Sequence, residues 1–161
     1  MKAYVTNLGK YNEGALIGKC AQFPMDEEQF TKVLESIGVK ENSAYEEYFI
    51  TDYETSYVDA YEALGEYPSI DDLNEFAELE EDEEFNALME VVSYQEAKDI
   101  YENESYTYYA GMTLSDVAYW IVDECYDLPE IAERYFDYEA FASDLSCDGY
   151  YETESGVIRI D

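Results

Sequence analysis

Carboxylates are the side chains in this sequence whose number and spacing could do chemistry. The 161 residues include 40 Asp and Glu against 8 Lys and Arg, which gives a formal net charge of −32. The densest stretches are residues 78–84, where six of seven positions are acidic, and residues 113–145. A net charge of magnitude about 2 to 8 already keeps a small domain soluble. We therefore expect the surplus charge to serve binding rather than solubility.

Helical periodicity arranges the acids of residues 113–145 in a row. Thr113 is predicted as the N-cap of a helix, with Asp116 at its third position. The core-facing stripe of this helix comprises Val117, Ala118, Ile121, Val122, Cys125 and Leu128. The opposite face carries Asp116, Trp120, Asp123 and Asp127, with Tyr119 and Tyr126 beside them. Acids three, four and seven residues apart on one face stand roughly 5 to 11 Å apart, which brackets the spacing of phosphates along a nucleic-acid strand.

Two interpretations of these acids stay open. An acidic outer face is usually a solvated helix face, and an acidic run is usually a solvated loop or a fraying helix end. However, neighbouring acids without Lys or Arg partners repel each other by a few tenths of a kcal/mol per pair. We therefore predict a partner-binding surface whose carboxylates take the place of phosphates. Its candidate residues are Glu78, Glu80, Glu81, Asp82, Glu83, Glu84, Asp116, Asp123, Glu124, Asp127, Glu130, Glu133, Asp137, Glu139 and Asp144.

The residue types needed for most catalytic and metal sites are missing. The chain has no histidine, which removes the commonest general base and the common zinc motifs. Cys20, Cys125 and Cys147 form no C-x-x-C pair, and we interpret them as small apolar core residues. The EF-hand pattern and phosphate-binding glycine loops are absent, so only weak divalent-ion binding is expected. A pair of glycosidase carboxylates is not singled out by spacing. We expect no enzyme activity and no cofactor.

The charge also argues against direct binding to nucleic acid, because this surface would repel phosphates. A surface that repels phosphates attracts the basic side chains that bind them. Carboxylates placed like phosphates would therefore bind the basic grooves of DNA-handling proteins. Forty charges correspond to roughly 68 Å of B-DNA at one charge per 1.7 Å. A compact globule of this length is near 40 Å across. A DNA-like arrangement of the acids therefore predicts an elongated chain of small domains.

Periodicity and turn residues predict an α+β fold in three such domains. Residues 1–61 should form an α+β domain with strands at 3–8 and 15–23, a loop at 9–14, a helix between Asp26 and Gly38, and a strand at 46–53. Residues 62–105 should form a helical domain of three helices. We expect Ser69 with Asp72 to cap the first, the second to lie near Phe85, and Ser93 with Glu96 to cap the third.

The third predicted domain, residues 106–161, is again α+β. Its expected elements are a strand at 106–110, the acidic helix, a short helix opened by Pro129 and a helix capped by Asp137. Phe136 and Phe141 take the two positions of a hydrophobic staple for that last helix. A hairpin of residues 149–153 and 157–160 should close the domain. No apolar run is long enough for a membrane span, and no signal-peptide core is present, so we expect a cytoplasmic protein without membrane contact.

Several of these segments resemble one known family. They are residues 4–14 (YVTNLGKYNEG), Leu16, Gly18, Phe23-Pro24, residues 45–54, residues 70–73 and residues 136–145. They are similar to the ArdA family of antirestriction proteins over the whole chain. The resemblance implies a curved, dimeric mimic of bent B-form DNA that occupies the DNA groove of type I restriction-modification enzymes, at their methyltransferase core. It also implies a homodimer formed through the third domain.

Two other classes of function remain possible on the sequence alone. An acidic interaction module or chaperone for basic DNA-associated proteins would have similar charge but would not compete with duplex DNA. A salt-adapted enzyme would also be acidic, but the Tyr-dominated aromatic content of 17% and the lack of a catalytic constellation argue against it.

Overall fold

The computed structural model describes residues 1–56 and 60–161. The chain divides into two compact units, Met1–Asp82 and Glu83–Asp161. Each unit combines helices with a three-stranded antiparallel sheet, which confirms the predicted α+β class. The predicted division at residues 61/62 and 105/106, and the elongated arrangement, stay predictions.

The sheet of the first unit has the order β2-β1-β3. Its strands are β1 (Lys2–Asn7), β2 (Gly18–Gln22) and β3 (Tyr48–Glu54). All three strands were predicted. In β1 the apolar residues Ala3 and Val5 alternate with other residues and point into the core. The connection predicted as a loop instead contains the short helix α1 (Leu8–Asn12). The buried Asn7 caps it by accepting the Lys10 N–H at 2.9 Å and donating to the Ile37 carbonyl at 3.1 Å.

Three further helices complete the first unit. They are α2 (Glu27–Ser36), α3 (Ala60–Leu64) and α4 (Ile70–Leu79). Asp26 caps α2 as predicted, and the chain leaves the helix through Gly38 at φ 80°. Ser69 and Asp72 form the predicted capping box of α4. The core of this unit includes Phe23, Phe30, Val33, Ile50, Leu73 and Phe76.

The second unit begins with α5 (Glu83–Met89) and α6 (Tyr94–Glu102). Phe85 is fully buried between the rings of Tyr94 and Tyr101, at centroid distances of 5.8 and 5.5 Å. Ser93 precedes α6, but its side chain makes no capping hydrogen bond, so that part of the prediction is wrong. Aromatic packing of Tyr94 and Tyr101 on Phe85 fixes this helix in place of a side-chain cap.

The second sheet has the order β4-β6-β5. The remaining elements are β4 (Tyr106–Ala110), α7 (Leu114–Cys125), α8 (Glu130–Arg134), α9 (Tyr138–Leu145), β5 (Tyr150–Thr153) and β6 (Gly156–Ile160). The predicted strand, the three helices and the closing hairpin are thus confirmed. Their core contains Val117 and Ala118 of α7, Ala142 and Leu145 of α9, and Val157 of β6.

The three cysteines are exposed, which contradicts their interpretation as core residues. Cys20 lies on the edge strand β2, and Cys125 is the last residue of α7. Cys147 follows the last turn of α9. Within residues 1–56 and 60–161, no helix is long and apolar enough to cross a membrane.

Candidate partner-binding surface

A capping box fixes the first carboxylate of α7. The amide and hydroxyl of Thr113 donate to Asp116 Oδ2 at 2.9 and 2.7 Å, and the Asp116 N–H donates back to Thr113 Oγ1 at 3.2 Å. These hydrogen bonds from Thr113 lower the pKa of Asp116 below its ordinary value. Asp116 therefore presents a fixed negative charge at the start of the helix, where the helix dipole also favours an anion.

The far end of α7 carries Asp123 and Glu124, both exposed. The helix ends at Cys125, and Tyr126 has extended backbone angles, φ −126° and ψ 128°. Asp127 is exposed as predicted, but it lies outside the helix and not on its outer face, so that placement is wrong. The physical reason is Pro129, which disfavours helical angles at the preceding residue and lets no helix run through it.

The acids of α8 and α9 continue the surface. Glu130, Glu133, Asp137, Glu139 and Asp144 are all exposed. Arg134 forms an ion pair with Glu130 at 3.0 Å. Asp137 accepts the Ala140 N–H at 3.0 Å, and the ring of Phe136 packs on Phe141 at 5.7 Å, so the predicted cap and staple of α9 are both present.

Tyr138 brings acids of α7 and α8 to the same place. Its ring stacks on Tyr119 of α7 with a centroid distance of 3.8 Å. Burial raises the pKa of the Tyr138 hydroxyl, and the charges of Glu133 and Asp123 raise it further. The charges of these two carboxylates, one on α7 and one on α8, therefore both act on the Tyr138 hydroxyl.

Positive charge is scarce around these acids. Between residues 113 and 148 the sequence has ten Asp and Glu and one basic residue, Arg134. Of the nine candidate acids in this segment, Glu130 is the one that forms an ion pair with a described residue. The surface thus holds a strong uncompensated negative charge, which attracts cationic partners and is weakened by salt.

Large apolar side chains are exposed among the same acids. Those with a substantial exposed surface are Tyr119, Trp120, Tyr126, Ile131 and Tyr135, the last with 78% of its surface exposed. Trp120 was expected on the outer face of α7 and is found there, with its ring edge-on to Tyr109 at 5.6 Å. The segment therefore presents aromatic area together with charge.

The acidic run of residues 78–84 begins at the end of α4 and enters α5. Glu78, Glu81, Glu83 and Glu84 are exposed, and Asp82 is half-buried. Glu84 accepts a hydrogen bond from the Tyr106 hydroxyl. The four exposed acids are positioned to meet a partner from solvent.

Glu80 differs from its neighbours because its carboxylate is used within the first unit. Its Oε2 lies 2.7 Å from the amino group of Met1, and its side chain is 9% exposed. Its Oε1 accepts from Thr55 Oγ1 at 2.6 Å and from the Ser56 hydroxyl at 2.9 Å. Burial raises the pKa of Glu80, but the bonds from Met1, Thr55 and Ser56 outweigh burial and lower it to about 2. Sequence reasoning missed this network, since its members are far apart in the chain and no local pattern links them.

Among the described residues, no group of three or more Cys, Asp or Glu side chains is arranged to hold a metal ion. The acids of this surface are spread over several elements and do not converge on one point with free oxygen ligands. The geometry therefore suits an extended contact with a cationic surface better than coordination of an ion.

The profile of a family described as antirestriction protein (ArdA) matches residues 3–159. A search of curated proteins found no match.

Proposed function

The chain belongs to the antirestriction protein (ArdA) family, which implies an antirestriction function, and we propose that it acts as a mimic of bent B-form DNA. In this proposal its carboxylates occupy the DNA-binding groove of a type I restriction-modification enzyme, at the methyltransferase core, and inhibit it. The protein is thus an inhibitor and not an enzyme.

The observation that carries the proposal is the exposed acidic surface of α7, α8 and α9. Asp116 and Asp123 of α7 and Glu133 of α8 face solvent, and none of the three forms an ion pair with a described basic residue. A groove that binds DNA is lined by Lys and Arg, whose counterions are released when phosphates enter. Carboxylates that enter the same groove release the same counterions, so this release favours binding of the protein as it favours binding of DNA.

The candidate residues do not all support the proposal equally. The exposed acids of residues 116–144 and Glu78, Glu81, Glu83 and Glu84 can reach a partner without rearrangement. The carboxylate of Glu80 already forms an ion pair with the amino group of Met1 and accepts hydrogen bonds within the first unit. We therefore assign Glu80 a structural role and keep the exposed acids as the proposed contact surface.

We also propose that the protein is a homodimer formed through residues 106–161, as the family resemblance implies. The exposed side chains of Tyr119, Trp120 and Tyr126 support this, because several large exposed apolar side chains on one segment of a charged protein are typical of an interaction site.

Competition with DNA tests the proposal. A labelled duplex is bound to a purified type I methyltransferase and titrated with this protein at two salt concentrations. We expect displacement of the duplex that weakens steeply as salt rises. Failure to displace the duplex would refute DNA mimicry and favour an acidic module or chaperone for basic DNA-associated proteins, which binds such proteins without competing with DNA.

A further inference from the structure

The first unit contains an open groove that is lined by none of the candidate acids discussed above. It lies between the segment that enters β3 and the segment that leads into α4, and its volume is about 360 Å³. Its lining residues are Glu46, Glu47, Tyr48, Tyr67, Pro68 and Ser69. This volume is near the lower end of the range of small-ligand sites, so the groove suits one side chain or a small molecule.

The floor of the groove is held in place by contacts to the core. The Tyr48 hydroxyl donates to the Pro68 carbonyl at 2.8 Å, and its ring packs edge-on against Phe30 at 5.2 Å. The Ile50 N–H donates to the Glu66 carbonyl at 2.8 Å, which ties the segment before Pro68 to β3. The shape of the groove is therefore built into the fold.

One wall of the groove is an aromatic ring with an open face. Tyr67 is 65% exposed, yet its ring stacks on Phe49 with a centroid distance of 6.2 Å and an interplanar angle of 30°. Phe49 is fixed in turn by the ring of Tyr11 at 5.0 Å. One face of Tyr67 is thus supported by the core side, and the other is available to a ligand. A cation placed over such a face is attracted by the quadrupole of the ring.

The opposite side of the groove carries two carboxylates. Glu46 and Glu47 are exposed, and no Lys or Arg of the described chain forms an ion pair with either of them. The Glu47 carbonyl accepts the Leu8 N–H at 3.1 Å, which fixes the backbone at this point. Two acids beside an aromatic face favour a ligand that is cationic, planar and rich in hydrogen-bond donors.

We infer that this groove binds an arginine side chain of the protein partner, with the guanidinium stacked on Tyr67 and donating to Glu46 or Glu47. Guanidinium combines these two modes of contact better than ammonium, because it is planar and its donors match a carboxylate in pairs. The inference rests on the proposed function, since it gives the basic partner a specific contact in addition to diffuse charge attraction. It places that contact in the first unit, far in sequence from the acids of α7 to α9.

A small probe tests the groove without the partner. The full-length, isotope-labelled protein is titrated with N-acetyl-arginine methylamide and, separately, with its neutral citrulline analogue. We expect saturable amide shifts at Glu47, Tyr67 and Ser69 with the arginine compound and none with citrulline. Equal shifts with both compounds, or shifts spread evenly over the acidic surface, would overturn the inference.

Variants then test the groove in the competition assay against the methyltransferase. Tyr67→Leu removes the aromatic face without changing the net charge, and Leu16→Ala, at an exposed apolar site of the first unit outside the groove, is its control. We expect Tyr67→Leu to raise the concentration needed for half-displacement about fivefold, with an unchanged salt slope. Its control should behave like the unmodified protein.

Two double variants that remove the same number of charges test the role of the groove carboxylates. Glu46→Gln with Glu47→Gln should weaken displacement about three- to tenfold more than Glu35→Gln with Glu41→Gln, which removes the same charge elsewhere in the unit. Groove variants that match their controls would refute the inference while leaving the proposed function intact. If the unmodified protein fails to displace the duplex, the proposed function fails, and the arginine titration still decides whether the groove binds guanidinium.

Discussion

The carboxylate of Glu80 lies 2.7 Å from the amino group of Met1, so the residue that precedes β1 is tied to the residue that follows α4. Thr55 and Ser56, just after β3, donate to the same carboxylate. One side chain thus joins the edge of the sheet to the end of a helix within the first unit. The charge of Glu80 is used for folding, whereas the acids around it face solvent.

Replacing Glu80 should destabilise the first unit. Glu80→Gln removes the negative charge that compensates the buried amino group of Met1 and weakens three hydrogen bonds. We expect a loss of about 1 to 3 kcal/mol in the free energy of unfolding, measured by urea denaturation. Glu81→Gln, one residue further along the same turn and exposed, should change it by less than about 0.5 kcal/mol. Equal effects of the two changes would contradict a structural role for Glu80.

The contribution of Glu80 should depend on pH. Its pKa is lowered to about 2 from an ordinary value of 4.5, so its stabilisation is fully present above about pH 4.5 and is lost as the pH falls towards 2. Protonation of the other acids at low pH relieves their mutual repulsion and also changes the stability. This effect is the same in the unmodified protein and in Glu80→Gln. The difference in unfolding free energy between these two proteins should therefore shrink between about pH 6 and about pH 2.5. A constant difference would show that the carboxylate is not ionised in the network.

The capping box of α7 should contribute measurably to the second unit. Thr113→Ala removes the hydroxyl that binds both the amide and the carboxylate of Asp116. We expect a loss of about 1 kcal/mol in urea unfolding, with lower helix content by circular dichroism. Ser115→Ala, at an exposed site in the same turn, is the control and should have little effect. If the control destabilises the protein as much as Thr113→Ala, the cap is not the cause.

Binding to the methyltransferase should fall gradually as acids are neutralised. Asp123→Asn or Asp127→Asn alone should change displacement of the duplex little, because each is one of many exposed charges. Neutralising five acids together should weaken binding and flatten its salt dependence. The five are Asp116, Asp123, Asp127, Glu130 and Glu133.

A matched variant controls for the loss of net charge. It carries Gln at five exposed acids outside the candidate set: Glu35, Glu41, Glu96, Glu104 and Glu152. We expect it to retain more displacement activity than the variant in α7 and α8. A single substitution that abolished binding would contradict a diffuse, phosphate-like surface.

The features predicted correctly from the sequence are those whose chemistry is local. The capping boxes at Ser69 and Thr113 and the staple of Phe136 and Phe141 each need residues only three to five positions apart. The strands were recognised from apolar and aromatic residues bounded by turn residues, and in β1 the buried Ala3 and Val5 alternate with the half-buried Lys2 and Tyr4. Exposure of Asp123 and Glu124 also follows from periodicity alone.

The features that sequence reasoning missed depend on distant contacts or on neighbours that override a periodic pattern. Glu80 belongs to a network whose members lie 25 and 79 positions away, so it resembles its solvated neighbours in the sequence. Helix α1 forms because Asn7 is held by Ile37, a residue of another element. The outer face of α7 was extended to Asp127 because helical periodicity continues through it, although Pro129 ends the helix earlier. The groove beside Tyr67 could not be predicted, since it joins two separate segments.

The end of α7 at Cys125 also changes the electrostatic self-energy of the protein. In a continuous helix, Asp127 would stand only about 6 Å along the axis from Asp123, and the two like charges would repel at short range. The extended residue Tyr126 advances the chain by about 3.3 Å instead of 1.5 Å, and Asp127 no longer belongs to the helical row of Asp123. Like charges held at helical spacing repel one another, so the early end of the helix releases Asp127 from that fixed spacing.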